Sequence, residues 1–153
     1  DAFGFEEARL AAVSLMLPLS VHTAIASLPG LALLKLVCWN DRHTRSPIKD
    51  AVDLDFIIAN YLAAGNEERL WGEFVSWTQE DGFDWEMAGA RMLGHDIATL
   101  LDDVGRARIA GLLAAQLNEV QPGTLAREMR AADEARAREL LTSLNRGLLE
   151  AAR

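Results

Sequence analysis

The last strand-like alternation in this sequence ends at Ile25, and everything after it is spaced for helices. Before that point Val13, Leu15 and Leu17 alternate with Ser14 and Met16, Pro18 interrupts, and Val21, Thr23 and Ile25 alternate again. Side chains repeat every two residues along a strand, so the pattern predicts two short strands joined through Leu17 to Ser20. A lone hairpin is marginal in water and is expected to pack on something else.

The remainder reads as roughly six helices, which gives an α+β chain that is mostly α, an N-terminal hairpin over 1–26 and a helical bundle over 27–153. Ser27 with Pro29 and Ser46 with Pro47 are cap and first-turn pairs that open helices running to about Asp41 and Ala63. Gly65-Asn66 ends the second, and a third is expected from Glu67 to Gln79. Further helices fit Asp84 to Leu101 and Val104 to Asn118. Pro122-Gly123 then breaks the chain, and Thr124 is placed to cap a last helix from Leu125 to about Ala151. Its Ala137, Leu140, Leu141, Leu144 and Leu148 follow helical spacing.

Composition excludes several classes. The 153 residues are half hydrophobic and a quarter charged, as in an ordinary globular domain. The longest nearly apolar run, Leu31 to Trp39, is far short of the roughly 20 residues of a membrane span. Cys38 is the single cysteine, so no intrachain disulfide forms and a cytoplasmic location is the simplest expectation. A net charge of −8 argues against non-specific duplex DNA binding, which draws on many phosphate contacts from Lys and Arg. The first residue is Asp1 rather than Met, so the sequence reads as processed or as part of something longer.

Two constellations carry chemical interest. Lys35 stands inside an apolar helix, where either its stem lies on apolar surface with the ammonium reaching water, or the ammonium meets a carboxylate or a phosphate. Asp50 and Asp53 share a helix face with Leu54, Ile57 and Tyr61, while Asp55 points nearly the other way. Two carboxylates on a partly buried face call for cations such as Lys35, Arg42 or a metal-bound phosphate, although Asp50 also suits a helix N-terminus. The string Asp53-Leu54-Asp55 is not a metal-binding pair, because residues two apart on a helix diverge by about 200°. No metal ligand set is expected: His22, His43 and His95 are scattered. Gly89 and Gly94 are read as close-packing positions in a helix, and the four tryptophans as core anchors.

Ser27-Leu-Pro-Gly-Leu-Ala-Leu-Leu-Lys35-Leu-Val-Cys-Trp-Asn-Asp41-Arg42, followed by Lys49-Asp50-Ala-Val-Asp53-Leu54, resembles a block of bacterial nucleotidyltransferase-fold proteins of the AbiEii-like group, which includes toxins of type IV toxin–antitoxin systems. Phe3-Gly-Phe-Glu-Glu-Ala8 and Ala88-Gly-Ala-Arg-Met-Leu-Gly-His-Asp-Ile97 are similar to further segments of those proteins. The resemblance implies a C-terminal portion, with the hairpin a remnant of the nucleotidyltransferase sheet. It implies Mg²⁺ and a nucleoside triphosphate as cofactor and substrate of the whole protein, Lys35 and Arg42 as nucleotide-binding residues, and Asp50 and Asp53 as catalytic acids. It implies an antitoxin-like protein partner, and the apolar hairpin suggests a homodimer. No Gly-Ser turn with a strand-borne Asp-x-Asp precedes the block, so this chain alone is expected to be inactive and to hold no cofactor. The hairpin and the apolar face around Lys35 are then expected to be partly uncovered. The competing reading is a non-catalytic helical module for protein interaction.

Overall fold

The computed structural model describes residues 3–42, 48–130 and 133–151, except for the side chain of Arg42. His43, Ser46 and Pro47 lie outside the described residues. The elements run α1 (Phe5–Leu10), β1 (Val13–Leu17), β2 (Val21–Ile25), α2 (Leu28–Arg42), α3 (Ile48–Asn60), α4 (Glu67–Trp71), α5 (Trp85–Thr99), α6 (Asp103–Gln116), α7 (Leu125–Met129) and α8 (Glu134–Glu150). The chain is mostly α, with a single antiparallel hairpin among the described residues.

The hairpin pairs Val13 with Ile25 and Leu17 with Val21, as the alternation predicts. Its connection is a short 3-10 turn, Pro18–Ser20, in which Leu19 and Ser20 both take positive φ. The strands do not pack on the bundle: residues of both faces are exposed, and Leu19 at the tip is 97% exposed. The hairpin is thus uncovered, as expected, and among the described residues nothing supplies the packing that a lone hairpin calls for.

Helix α1 is an element that strand periodicity missed. Gly4, at φ 88°, starts it, and the Glu7 carboxylate accepts from the Gly4 N–H at 2.8 Å. Its buried Ala8 lies against Gly30 of α2. Ser27 caps α2 as expected, accepting from the Gly30 N–H at 3.3 Å. Asp84, Asp102 and Asp133 cap α5, α6 and α8 through the N–H groups of Met87, Gly105 and Arg136. Thr124 makes no side-chain cap bond.

Two expected helices are each broken. The stretch from Glu67 to Gln79 bends at Gly72 and continues as a 3-10 turn over Val75–Gln79. The last helix is interrupted after Met129, where Arg130 has φ −135° and ψ 83°. Helix α5 lies at the centre of the bundle, with Met92, Leu93, Ile97 and Ala98 buried, and α8 crosses it with Leu140, Leu141 and Leu144. Gly94 and Gly147 lie at that crossing, and Gly89 faces Leu62, so the close-packing reading of the α5 glycines holds. Of the tryptophans, Trp39 is buried and Trp77 half-buried, but Trp71 and Trp85 are exposed. These two are surface residues rather than core anchors.

Candidate functional site

Helix α2 buries Ala32, Leu33 and Leu36, and α3 buries Ala51, Leu54 and Ile58; the seam between them is apolar. Lys35 stands at the edge of that seam with its side chain 20% exposed. Its Nζ donates to Asp53 Oδ2 at 2.6 Å and to Asp50 Oδ1 at 3.1 Å. The hydrogen bond to Asp53 holds the Lys35 ammonium above its ordinary pKa; burial opposes this, and the bond to Asp50 adds to it. Asp50 is buried, so removing Lys35 leaves a carboxylate in a poorly hydrated place. Of the apolar residues around Lys35, Ala32 and Trp39 are buried against the rest of the bundle while Leu31 and Cys38 are half-buried, so this face is partly uncovered, as expected.

Lys35, Asp50 and Asp53 thus come together, 15 and 18 residues apart in sequence. The Arg42 side chain lies outside the described residues. Asp55 departs as the helical angle requires and accepts from Arg130 Nε at 2.7 Å. One turn beyond Lys35, the Trp39 indole N–H donates to Glu128 at 2.6 Å and ties α2 to α7.

Three further clusters went unseen in the sequence because their partners are distant along the chain. Arg130 joins Asp55 to Glu86, and Arg136 joins Glu86 to Asp84, linking α3, α5 and the start of α8. Burial raises the Glu86 pKa, but the two arginines outweigh it and hold the carboxyl below its ordinary value. Arg91 lies over Trp77 at 4.0 Å and pairs with Glu80 and Glu150, and Arg146 bridges the same two glutamates. Trp77, Glu80, Arg91 and Arg146 line a cavity of about 120 Å³ with Phe83 and Ser143, and each arginine in it already meets carboxylates. Third, Asp96 accepts from the Tyr61 hydroxyl at 2.5 Å and takes both ends of Arg69 at 2.6 and 2.8 Å.

Among the described residues no group of three or more His, Cys, Asp or Glu side chains could hold a metal ion. Asp50 and Asp53 are turned onto an ammonium, which takes the place a cation would need. The residues here do not fit Mg²⁺ by themselves. No helix among the described residues is long and apolar enough to cross a membrane. Comparison with protein-family models, with curated proteins and with solved structures finds no match.

Proposed function

We propose that this chain carries the phosphate-binding half of a nucleotidyltransferase-like centre, with Lys35 as the phosphate ligand and Asp50 and Asp53 as the acids that hold and orient it. The observation that supports this reading is the meeting of Lys35 with both carboxylates across the α2–α3 seam, the juxtaposition that the resemblance requires. An ammonium has three N–H donors, and Asp50 and Asp53 account for two. A compact charge fixed at the rim of an apolar seam suits phosphate oxygens. Asp53, the more exposed acid, faces the approach. Metal-holding carboxylates must come from outside the residues described here, and Arg42 is a second nucleotide ligand by resemblance alone. The setting that goes with this reading is cytoplasmic, with an antitoxin-like protein partner.

The chain contains just two lysines, Lys35 and Lys49, so ¹⁵N-lysine labelling yields two ammonium signals. Titration with inorganic tripolyphosphate is expected to shift the Lys35 signal saturably, and Lys35→Met to abolish binding. A Lys35 signal that does not respond at millimolar tripolyphosphate overturns the proposal.

A second reading is a non-catalytic interaction module, and the exposed hairpin favours it. Its strands carry apolar side chains on both faces and open edges, which suits strand addition by a partner or a second copy. Sedimentation of the chain with Leu15→Lys and Leu17→Lys separates the outcomes: self-association lost in the variant supports pairing through the hairpin, and a monomer before and after argues against a homodimer.

A further inference from the structure

The outer face of α3 is where the Lys35 site continues. Lys49, Asp53, Phe56 and Asn60 recur at helical spacing and so lie in one row. Lys49, Phe56 and Asn60 are exposed, Phe56 by 70%. Phe56 follows Asp53 by one turn, and Asp53 is the residue that touches the Lys35 ammonium at 2.6 Å. From Lys49 to Phe56 the row advances about 10 Å along the helix, a span that a nucleoside triphosphate covers. The Asn60 amide is fixed, since its Nδ2 donates to the Phe56 carbonyl at 2.8 Å. Its oxygen is then an acceptor beside the ring. Ile48 and Val52 extend the apolar strip on the flank of the row.

A lone exposed phenylalanine on a surface needs no explanation. Here the ring stands in a row with both lysines of the chain at or beside one end and a held amide at the other. Flat aromatic surface, an amide acceptor one turn beyond it, and ammonium groups one turn before it (Lys35, on Asp53) and two turns before it (Lys49) match the three parts of a nucleotide: base face, exocyclic amino group and phosphates. We propose that α3 presents a nucleobase platform, with an amino-bearing base stacked on Phe56 and edged by Asn60, and its phosphates directed to Lys35 and Lys49. This rests on the phosphate role given to Lys35 above and adds the part that recognises the base.

Binding of ATP, adenosine and inorganic tripolyphosphate to the whole chain tests it. Phe56 is exposed, so Phe56→Ala leaves the fold intact. Phe56→Ala is expected to weaken ATP and adenosine about tenfold, within the range of base–aromatic stacking, and to leave tripolyphosphate unchanged. Lys35→Met is expected to weaken ATP and tripolyphosphate and to spare adenosine. Wild-type affinity for ATP in Phe56→Ala, equal weakening of all three probes, or no adenosine binding by the wild type at millimolar concentration overturns the platform. Unchanged tripolyphosphate binding in Lys35→Met overturns the phosphate role instead, and the adenosine arm then decides the platform alone.

Discussion

Gly94 of α5 faces the Leu144 carbonyl of α8 so closely that a Cβ at Gly94 would stand 1.9 Å from that oxygen. The relationship is reciprocal, since a Cβ at Gly147 would stand 1.8 Å from the Arg91 carbonyl. Both obstructing atoms are backbone, so no rotamer change relieves the clash. The two helices meet main chain to main chain, and Ser143 strengthens the contact by donating to the Met87 carbonyl at 2.8 Å. Gly94→Ala or Gly147→Ala must push the helices apart, at a cost of about 3 kcal/mol or more. Gly111 of α6 has nothing within 4 Å of its hypothetical Cβ, and Gly111→Ala is expected to stabilise by about 0.5–1 kcal/mol. Urea denaturation of the three variants checks the contrast. A Gly94→Ala protein as stable as the wild type would show that α5 and α8 are not packed this closely.

Lys35→Met removes the partner of a buried carboxylate. Breaking a fully buried pair costs about 3–5 kcal/mol; with the Lys35 side chain 20% exposed, the expected loss is about 2 kcal/mol. Lys35→Met with Asp50→Asn recovers part of it, because the uncompensated charge is gone. The pH dependence has a fixed sign. The folded pKa of Lys35 is raised, so its contribution is fully present below the unfolded value of about 10.4 and is lost as pH rises through the higher folded value. Thermal melts between pH 9 and pH 12 of wild type and Lys35→Met should therefore converge at the alkaline end. Parallel curves across that range count against the pairing.

The two halves of that site were legible for different reasons. Lys35 stood out because a charge within Leu31–Trp39 must either reach water or meet a partner, which spacing alone left open, and helical spacing put Asp50 and Asp53 on one face of α3. The same spacing separated Asp55, which the structure gives to Arg130. What spacing could not supply is the Arg130 side of the story. A 27-residue amphipathic pattern from Leu125 looks continuous, yet Arg130 leaves helical geometry and reaches Asp55 and Glu86, 75 and 44 residues away in sequence. A long-range ion network leaves no periodic trace. Gly72 was similarly invisible as a break, because one glycine in a helical pattern is often tolerated. The hairpin's strands and turn were readable from alternation, but alternation says only that faces differ, and here both are exposed.

Tyr61→Phe deletes one hydroxyl from the Asp96 cluster. Burial pushes the Asp96 carboxyl up, but the hydrogen bonds from Arg69 and Tyr61 and the Arg69 charge outweigh it and hold it below its usual value. Tyr61 moves the other way: burial, and then its bond to Asp96, raise its phenol pKa. A depressed carboxyl stabilises the fold above its unfolded pKa of about 3.9, and that stability is lost as pH falls through the lower folded value. Glu80, Glu86 and Glu150 are also lowered by arginine partners, and Asp84 by the Met87 N–H and then by Arg136, against the opposing effect of burial; all four add to the same acid limb. Tyr61→Phe is expected to cost about 1–2 kcal/mol at neutral pH and to move the Asp96 titration upward. Urea denaturation at pH 7 measures the first and carboxyl ¹³C shifts followed from pH 7 to pH 2 the second; an unmoved Asp96 midpoint would assign the depression to Arg69 alone.

The chain as it stands is expected not to transfer nucleotides. Metal-assisted transfer from a triphosphate needs divalent cations held by clustered carboxylates, which neutralise the charge that builds on the phosphates. The described residues offer no such cluster. The one Asp-x-Asp string is split between two ion pairs on opposite sides of α3, Asp53 to Lys35 and Asp55 to Arg130. Asp50 and Asp53 are committed to the same ammonium, so using them as metal ligands would expel Lys35 from the site where it is to meet phosphate. On the proposed reading the Lys35 centre binds and orients phosphate, and transfer calls for carboxylates brought by another segment or subunit. Incubating the purified chain with labelled nucleoside triphosphates, Mg²⁺ and total RNA, beside an active nucleotidyltransferase as positive control, should leave the RNA unlabelled. Robust labelling that disappears in Asp53→Asn and persists in Lys35→Met would mean that Asp53 holds the metal and that the ion pair described here opens during turnover.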